Sequence, residues 1–189
     1  MVFRLLFVLL SFPLHAADLE GVTLEDRIRV DGQELQLNGT ALRTRYVFVK
    51  VYVAGLYLPS KTAAAHTAIE GPGAKRIILV MLRDATAEQF IESIDHAMRA
   101  NNTGEQIDAV KMQVDELYAM IRAVGQSKTG ARIVLDYQPS TGGTTLFVDD
   151  VAQGPVMAGK PFYRVLLRIW LGEDPVQMDL KEALLGGVQ

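Results

Sequence analysis

The stretch LNGTALRTRYVFVKVYVAGLYLP, Leu37 to Pro59, decides how the chain reads. Arg43 and Arg45 stand just ahead of a run from Tyr46 to Leu58 whose only charged residue is Lys50. Successive side chains of a strand point to opposite faces. The odd positions, Val47, Val49, Val51, Val53, Gly55 and Tyr57, make a mainly aliphatic face that reads as core. The even positions, Tyr46, Phe48, Lys50, Tyr52, Ala54, Leu56 and Leu58, make a second apolar face carrying Tyr and one Lys. Such a face is covered, yet it can meet something partly polar. What an arginine beside that strand would face is the functional question.

Working outward, Arg27 to Val30 and Glu34 to Leu37 alternate around Asp31-Gly32, which predicts a hairpin. Asn38-Gly39 reads as a second turn. A short Ala-rich helix is expected over Lys61 to Ile69, closed by Gly71-Pro72-Gly73, and a strand over Lys75 to Leu82. Thr86 with Gln89 three residues on is a capping-box pattern, opening a helix with Phe90, Ile94, Ala97 and Met98 on one face. A longer helix is expected from Gln106 to Val124. Arg132 to Tyr137 and Thr145 to Val148 alternate across Pro139 to Gly143 as a hairpin. An apolar helix over Phe162 to Leu171 ends at Gly172, and a last short helix runs through Leu185. This order predicts an α+β fold with a mainly antiparallel sheet covered by helices.

Hydrophobic residues make up 49% of the 189, enough for one domain with its own core. The net charge is −3 without a basic tract, which argues against nucleic acid as a partner. The opening MVFRLLFVLLSFPLHAADLE has one early Arg4, an apolar stretch from Leu5 to Phe12, and small residues after Pro13. That is the layout of a signal peptide over residues 1–16, cut near Ala16 or Ala17, with the mature domain over 17–189. The expected location is a periplasm, and no stable membrane insertion is expected once the signal is removed. Zero Cys excludes disulfides, thiol catalysis and thiolate metal sites. His66 and His96 lack a metal-ligand spacing, so no metal is expected. Asp149-Asp150 reads as a solvated turn, Gly142-Gly143 as hairpin chemistry, and Trp170 as a core residue able to wall a cleft.

With KVYVAGLYLP preceded by LNGTALR, and with the ending RVLLRIWLGEDPVQMDLKEALLG, the chain resembles the chalcone isomerase-like family, its exported bacterial members in particular. The resemblance implies the chalcone isomerase fold, an open-faced β-sandwich in which a large antiparallel sheet is covered by a helical layer, with a ligand cleft between them. It implies no cofactor. Family members include isomerases that close chalcones into flavanones, and non-catalytic proteins of which some bind fatty acids. The family arginine, in a GxGxR-type loop, matches Arg43, and the first glycine matches Gly39; the second is replaced by Ala41. A strand Thr of the enzymes falls at Tyr52. Their helical Tyr, Lys and Asn fall at Phe90, Ser93 and Ala97, and a polar position of the late helix falls at Ile169.

These replacements bear on chemistry. An isomerase must stabilise a phenolate and a developing enolate with donors and positive charge. Phe and Ala donate nothing, Ser is neutral, and losing a single oxyanion donor costs about 3 kcal/mol of transition-state stabilisation. The sequence therefore predicts no catalytic residue and a ligand site of Arg43, Tyr52, Phe90, Ser93 and Ile169. Arg43 would fork the carboxylate of a small amphipathic acid, and Tyr52 could add a hydroxyl. Two other readings stay open for Arg43, pairing with an internal Asp or Glu, and a place on a rim. Two remain open for the whole protein as well: an isomerase- or lyase-type enzyme of unknown substrate, and an interaction module whose cleft is filled by its own side chains.

Overall fold

The computed structural model describes residues 16–46 and 48–187. The expected signal segment therefore lies outside the described residues, apart from Ala16. In chain order the elements are β1 (Ala16–Leu19), β2 (Val22–Glu25), β3 (Arg27–Val30), β4 (Gln33–Arg45), β5 (Val49–Leu58), α1 (Ala65–Glu70), β6 (Lys75–Met81), β7 (Ala85–Thr86) and α2 (Ala87–Asn101). They continue with α3 (Gly104–Asp108), α4 (Lys111–Val124), β8 (Gln126–Ser127), β9 (Arg132–Gln138), β10 (Gly143–Val148), β11 (Val151–Ala158), α5 (Lys160–Leu171) and α6 (Met178–Leu184).

Seven strands form one antiparallel sheet in the order β11-β10-β9-β6-β5-β4-β3. The alternation read in the sequence holds from Tyr52 to Leu58, while Val51, at the register shift between β4 and β5, packs with the helix-covered core instead of the opposite face. Tyr52, Ala54, Leu56 and Leu58 point into the core beneath α2, α4 and α5. Val53 and Tyr57 point into a second cluster on the opposite face. That face is covered in part by the β1–β2 hairpin, which seats Leu24 against Gly55. A Cβ at Gly55 would lie 2.6 Å from the Leu24 side chain, so any larger residue in AGLYL would push Leu24 aside, and the glycine allows this close approach. The large antiparallel sheet under a helical layer is the architecture expected from sequence.

Several expectations need correction. Asn38-Gly39 is not a turn: both residues lie within β4, at a register shift between Leu37 and Gly39 against β5. The buried Asn38 amide donates to Leu184 O at 2.7 Å and Thr62 O at 3.0 Å, and its oxygen accepts the Thr62 N–H at 2.7 Å. A Cβ at Gly39 would collide with the Ala183 carbonyl, so the pair serves to bring the end of α6 onto the sheet. The strand after Arg43 begins at Val49 rather than Tyr46, because Tyr46 adopts φ +51° and turns the chain. The single helix expected over Gln106 to Val124 is two, since α3 carries a capping box of its own at Thr103 and Gln106. An edge strand, β11, was not legible; Gly154 and Pro155 interrupt it, and its side chains are mostly exposed. The capping box at Thr86 is present as read, and Asp31-Gly32 forms the β3–β4 turn with both residues at positive φ.

Candidate ligand site

Arg43 sits near the end of β4 and pairs across the strand with Tyr52 of β5. Tyr52 belongs to the core beneath the helices, so the Arg43 side chain leaves the sheet on its helix-covered face. It is half-buried. Its Nη1 donates to the Thr44 carbonyl and, at 3.0 Å, to Gln177 Oε1. The same Gln177 oxygen accepts the Thr44 N–H at 2.9 Å, and Gln177 Nε2 donates to Leu42 O at 3.4 Å. Gln177 is the residue that precedes α6, so one side chain both attaches that helix to β4 and positions the guanidinium. Among the described residues no carboxylate lies within 4.0 Å of Arg43. The expected alternative of an internal Asp or Glu partner is therefore not met there.

Tyr52 is buried, and its hydroxyl oxygen accepts the indole N–H of Trp170 at 3.0 Å. Burial pushes the phenol above its ordinary pKa, while the Trp170 hydrogen bond and the nearby Arg43 charge pull the other way. The group is thus a neutral hydroxyl at physiological pH. Its own proton finds no acceptor among the described residues. Arg43, Tyr52 and Trp170 form one connected polar thread entering an otherwise apolar core.

The other expected site residues are spread out. Ile169 is 1% exposed and lies beside Trp170 on α5; its carbonyl accepts the Val176 N–H at 3.0 Å. Trp170 meets Tyr52 directly, and Ile169 is buried in the same helix-covered core cluster. Phe90 lies on α2 and lines a separate apolar cavity with Ile94, Leu117, Ile133 and Leu146, of about 30 Å³. That is room for a water or so, not for a ligand. Ser93 is exposed on α2 and lines neither that cavity nor the larger polar groove described next. Ala97, by contrast, is core. The structure thus joins Arg43 to Tyr52, buries Ile169 in the same core cluster as Tyr52, and sets Phe90 on a separate cavity and Ser93 in solvent.

A groove of about 550 Å³ opens elsewhere, between α1 and the ends of α2, α5 and α6. Three of its charged side chains are met internally: Arg168 contacts Glu70 at 3.2 Å and Asn102 at 3.1 Å, and Lys181 donates to Gly172 O at 2.7 Å. Sequence reasoning missed Gln177, which lies 134 positions from Arg43 and carries no local signal. The Trp170–Tyr52 bond was also missed, although Trp170 was already a candidate wall of the cleft.

The fold is similar to the crystal structure of a fatty-acid binding protein of Arabidopsis thaliana, with a TM-score of 0.71 over 90% of this chain and 96% of that one. Identity between the two is 15%, so the likeness is one of fold. No curated protein sequence matches this chain. The family model described as chalcone isomerase-like matches residues 16–186, which takes in both the Arg43 strand and the final helices. On that match, with the seven-stranded sheet and its helical cover, the chain belongs to the chalcone isomerase-like family.

Proposed function

We propose that this protein is a non-catalytic, periplasmic binding protein for a small amphipathic acid, of which a fatty acid is the simplest example. The observation that carries the reading is the Arg43 guanidinium: half-buried on the helix-covered face, held by the neutral Gln177 amide, and beside a Tyr52 hydroxyl with a proton to donate. A carboxylate is the group that matches a guanidinium fork and a phenol donor together. The described fold likeness to a fatty-acid binding protein supports the same class of ligand. An acyl tail would have to enter between sheet and helices, where the present cavity is about 30 Å³. Binding therefore requires the helical layer to move away from the sheet, or Trp170 to change rotamer. Absence of catalysis is supported by Phe90, Ser93 and Ala97, which supply no charged donor where an isomerase would need one.

A second reading has its own support. Trp170 fills the space beside Tyr52 and Ile169 is buried in the same core, as they would be in an interaction module with a closed core. Native mass spectrometry separates the two. Protein purified from the periplasm of its source cell should carry, or take up on incubation with palmitate, one acid per chain. A mass equal to the bare chain under both conditions would leave the filled module standing and end the carrier reading.

A further inference from the structure

The turn between β4 and β5 places two aromatic residues almost wholly in solvent. Tyr46 is 77% exposed and Phe48 is 88% exposed, and the Phe48 N–H donates to Tyr46 O at 2.8 Å, which closes the turn and directs both side chains away from the core. Met178, 52% exposed, follows Gln177, the residue that touches Arg43 and Thr44, so a third apolar side chain stands at this end of the sheet. Exposed apolar groups gathered at one end and edged by charge mark a contact surface rather than a folding requirement.

The charges at that end are mainly positive. The Arg45 guanidinium lies 5.2 Å from the Tyr46 ring centroid, and neither Arg45 nor Arg43 has a carboxylate partner among the described residues. Lys50 is paired with Glu20 at 2.5 Å. The end of β6 comes alongside through the Leu82 N–H bond to Val51 O at 2.9 Å; there Asp84 is met by Lys128 at 2.9 Å, while Arg83 is exposed. Asp179 of α6 is the carboxylate nearest in sequence to Met178, and its oxygen accepts the Leu180 N–H. On a chain of net charge −3 this is a locally cationic, aromatic tip.

We propose that Tyr46 and Phe48, with Arg45 beside them, form a peripheral docking tip for an anionic phospholipid surface. Tyr46 and Phe48 would enter the interfacial layer, where aromatic rings are favoured, and Arg45 would meet lipid phosphates. No described helix is long and apolar enough to cross a membrane, and the proposed contact is one of surface attachment. Docked this way, Arg43 lies three residues before Tyr46, close to headgroup level, where an amphipathic acid leaving the bilayer would meet it next after Arg45.

The test uses the purified full chain and sucrose-loaded vesicles without added fatty acid, so it is independent of the carrier reading. Vesicles of phosphatidylcholine containing phosphatidylglycerol should sediment the protein, and raised salt should weaken this. The double substitution Tyr46→Ser and Phe48→Ser should lower vesicle affinity by about tenfold or more. Both rings are exposed, so an unchanged melting curve should accompany that loss. Arg45→Gln should reduce the preference for anionic over neutral vesicles. The proposal is overturned if the wild-type chain does not sediment with anionic vesicles, or if the double variant sediments equally well. It is also overturned if sedimentation velocity without lipid shows a dimer that the double variant abolishes, since a second copy would then be what covers the tip.

Discussion

Two arginines stand on opposite faces of the same sheet, and their surroundings differ in one respect. Arg76 of β6 lies across from Asp136 of β9, with Nε–Oδ1 and Nη2–Oδ2 both at 2.6 Å. Asp136 is buried, so this is a two-pronged ion pair with its charge cancelled inside the protein. Arg43 has the same fork and no such acid; a neutral glutamine and a backbone carbonyl hold it. The outer face of the sheet shows how this chain treats a structural arginine. Measured against it, the helix-facing arginine is an unbalanced cation kept in position, which is what a site for an acid requires and what a packing residue does not.

Breaking the Arg76–Asp136 pair should have the largest effect. Asp136→Ala leaves a largely buried guanidinium without its anion and should cost about 3 kcal/mol or more in urea unfolding. The corresponding change on the other face, Arg43→Ala, removes no ion pair and should stay within about 1 kcal/mol. Equal losses at the two positions would mean that Arg43 is structural after all.

Lys75 sharpens the comparison from a third direction. It is buried, donates to Gly71 O at 2.5 Å, and has Lys160 and Arg164 nearby as well as Glu70. Burial first, and those like charges second, lower its pKa from 10.5 to about 8. Below pH 8 the penalty of the buried ammonium is fully present. As pH rises from about 8 towards 10.5 the folded chain releases this proton before the unfolded chain does, so stability rises, by up to about 3 kcal/mol. Tyr57, pushed up to about 12 mainly by burial, acts oppositely above pH 10, where the unfolded phenol ionises first. Stability should therefore peak between these limits in denaturant titrations across pH. Lys75→Met should remove the rise; a rise that persists would place its source elsewhere.

Much of this was legible in the primary structure, for identifiable reasons. The alternation from Tyr52 to Leu58 assigned both faces correctly because each is packed, one by helices and one by β1–β2, whereas Val51, at the register shift against β4, packs with the helix-covered core. The Thr86 box and the Asp31-Gly32 turn act within four residues and were readable locally. Asn38-Gly39 misled because its chemistry is that of a turn, while its purpose lies with Leu184, 146 positions away. Arg43 and Tyr52 were legible as a pair of candidates through the family resemblance. Gln177, which decides that the cation is held by a neutral group, was not, because nothing near it in sequence marks a contact with β4. Phe90 and Ser93 were placed by correspondence with a helix, and one turn of that helix takes Ser93 to solvent.

The most direct test is a calorimetric titration of palmitate into the wild-type chain and into Arg43→Ala, at neutral pH and below the critical micelle concentration. The account predicts one acid bound per wild-type chain and an affinity at least about tenfold weaker in the variant, at unchanged melting temperature. Equal affinity in the two proteins would contradict it, because the acid would then be held by something other than the uncancelled guanidinium of the helix-facing strand.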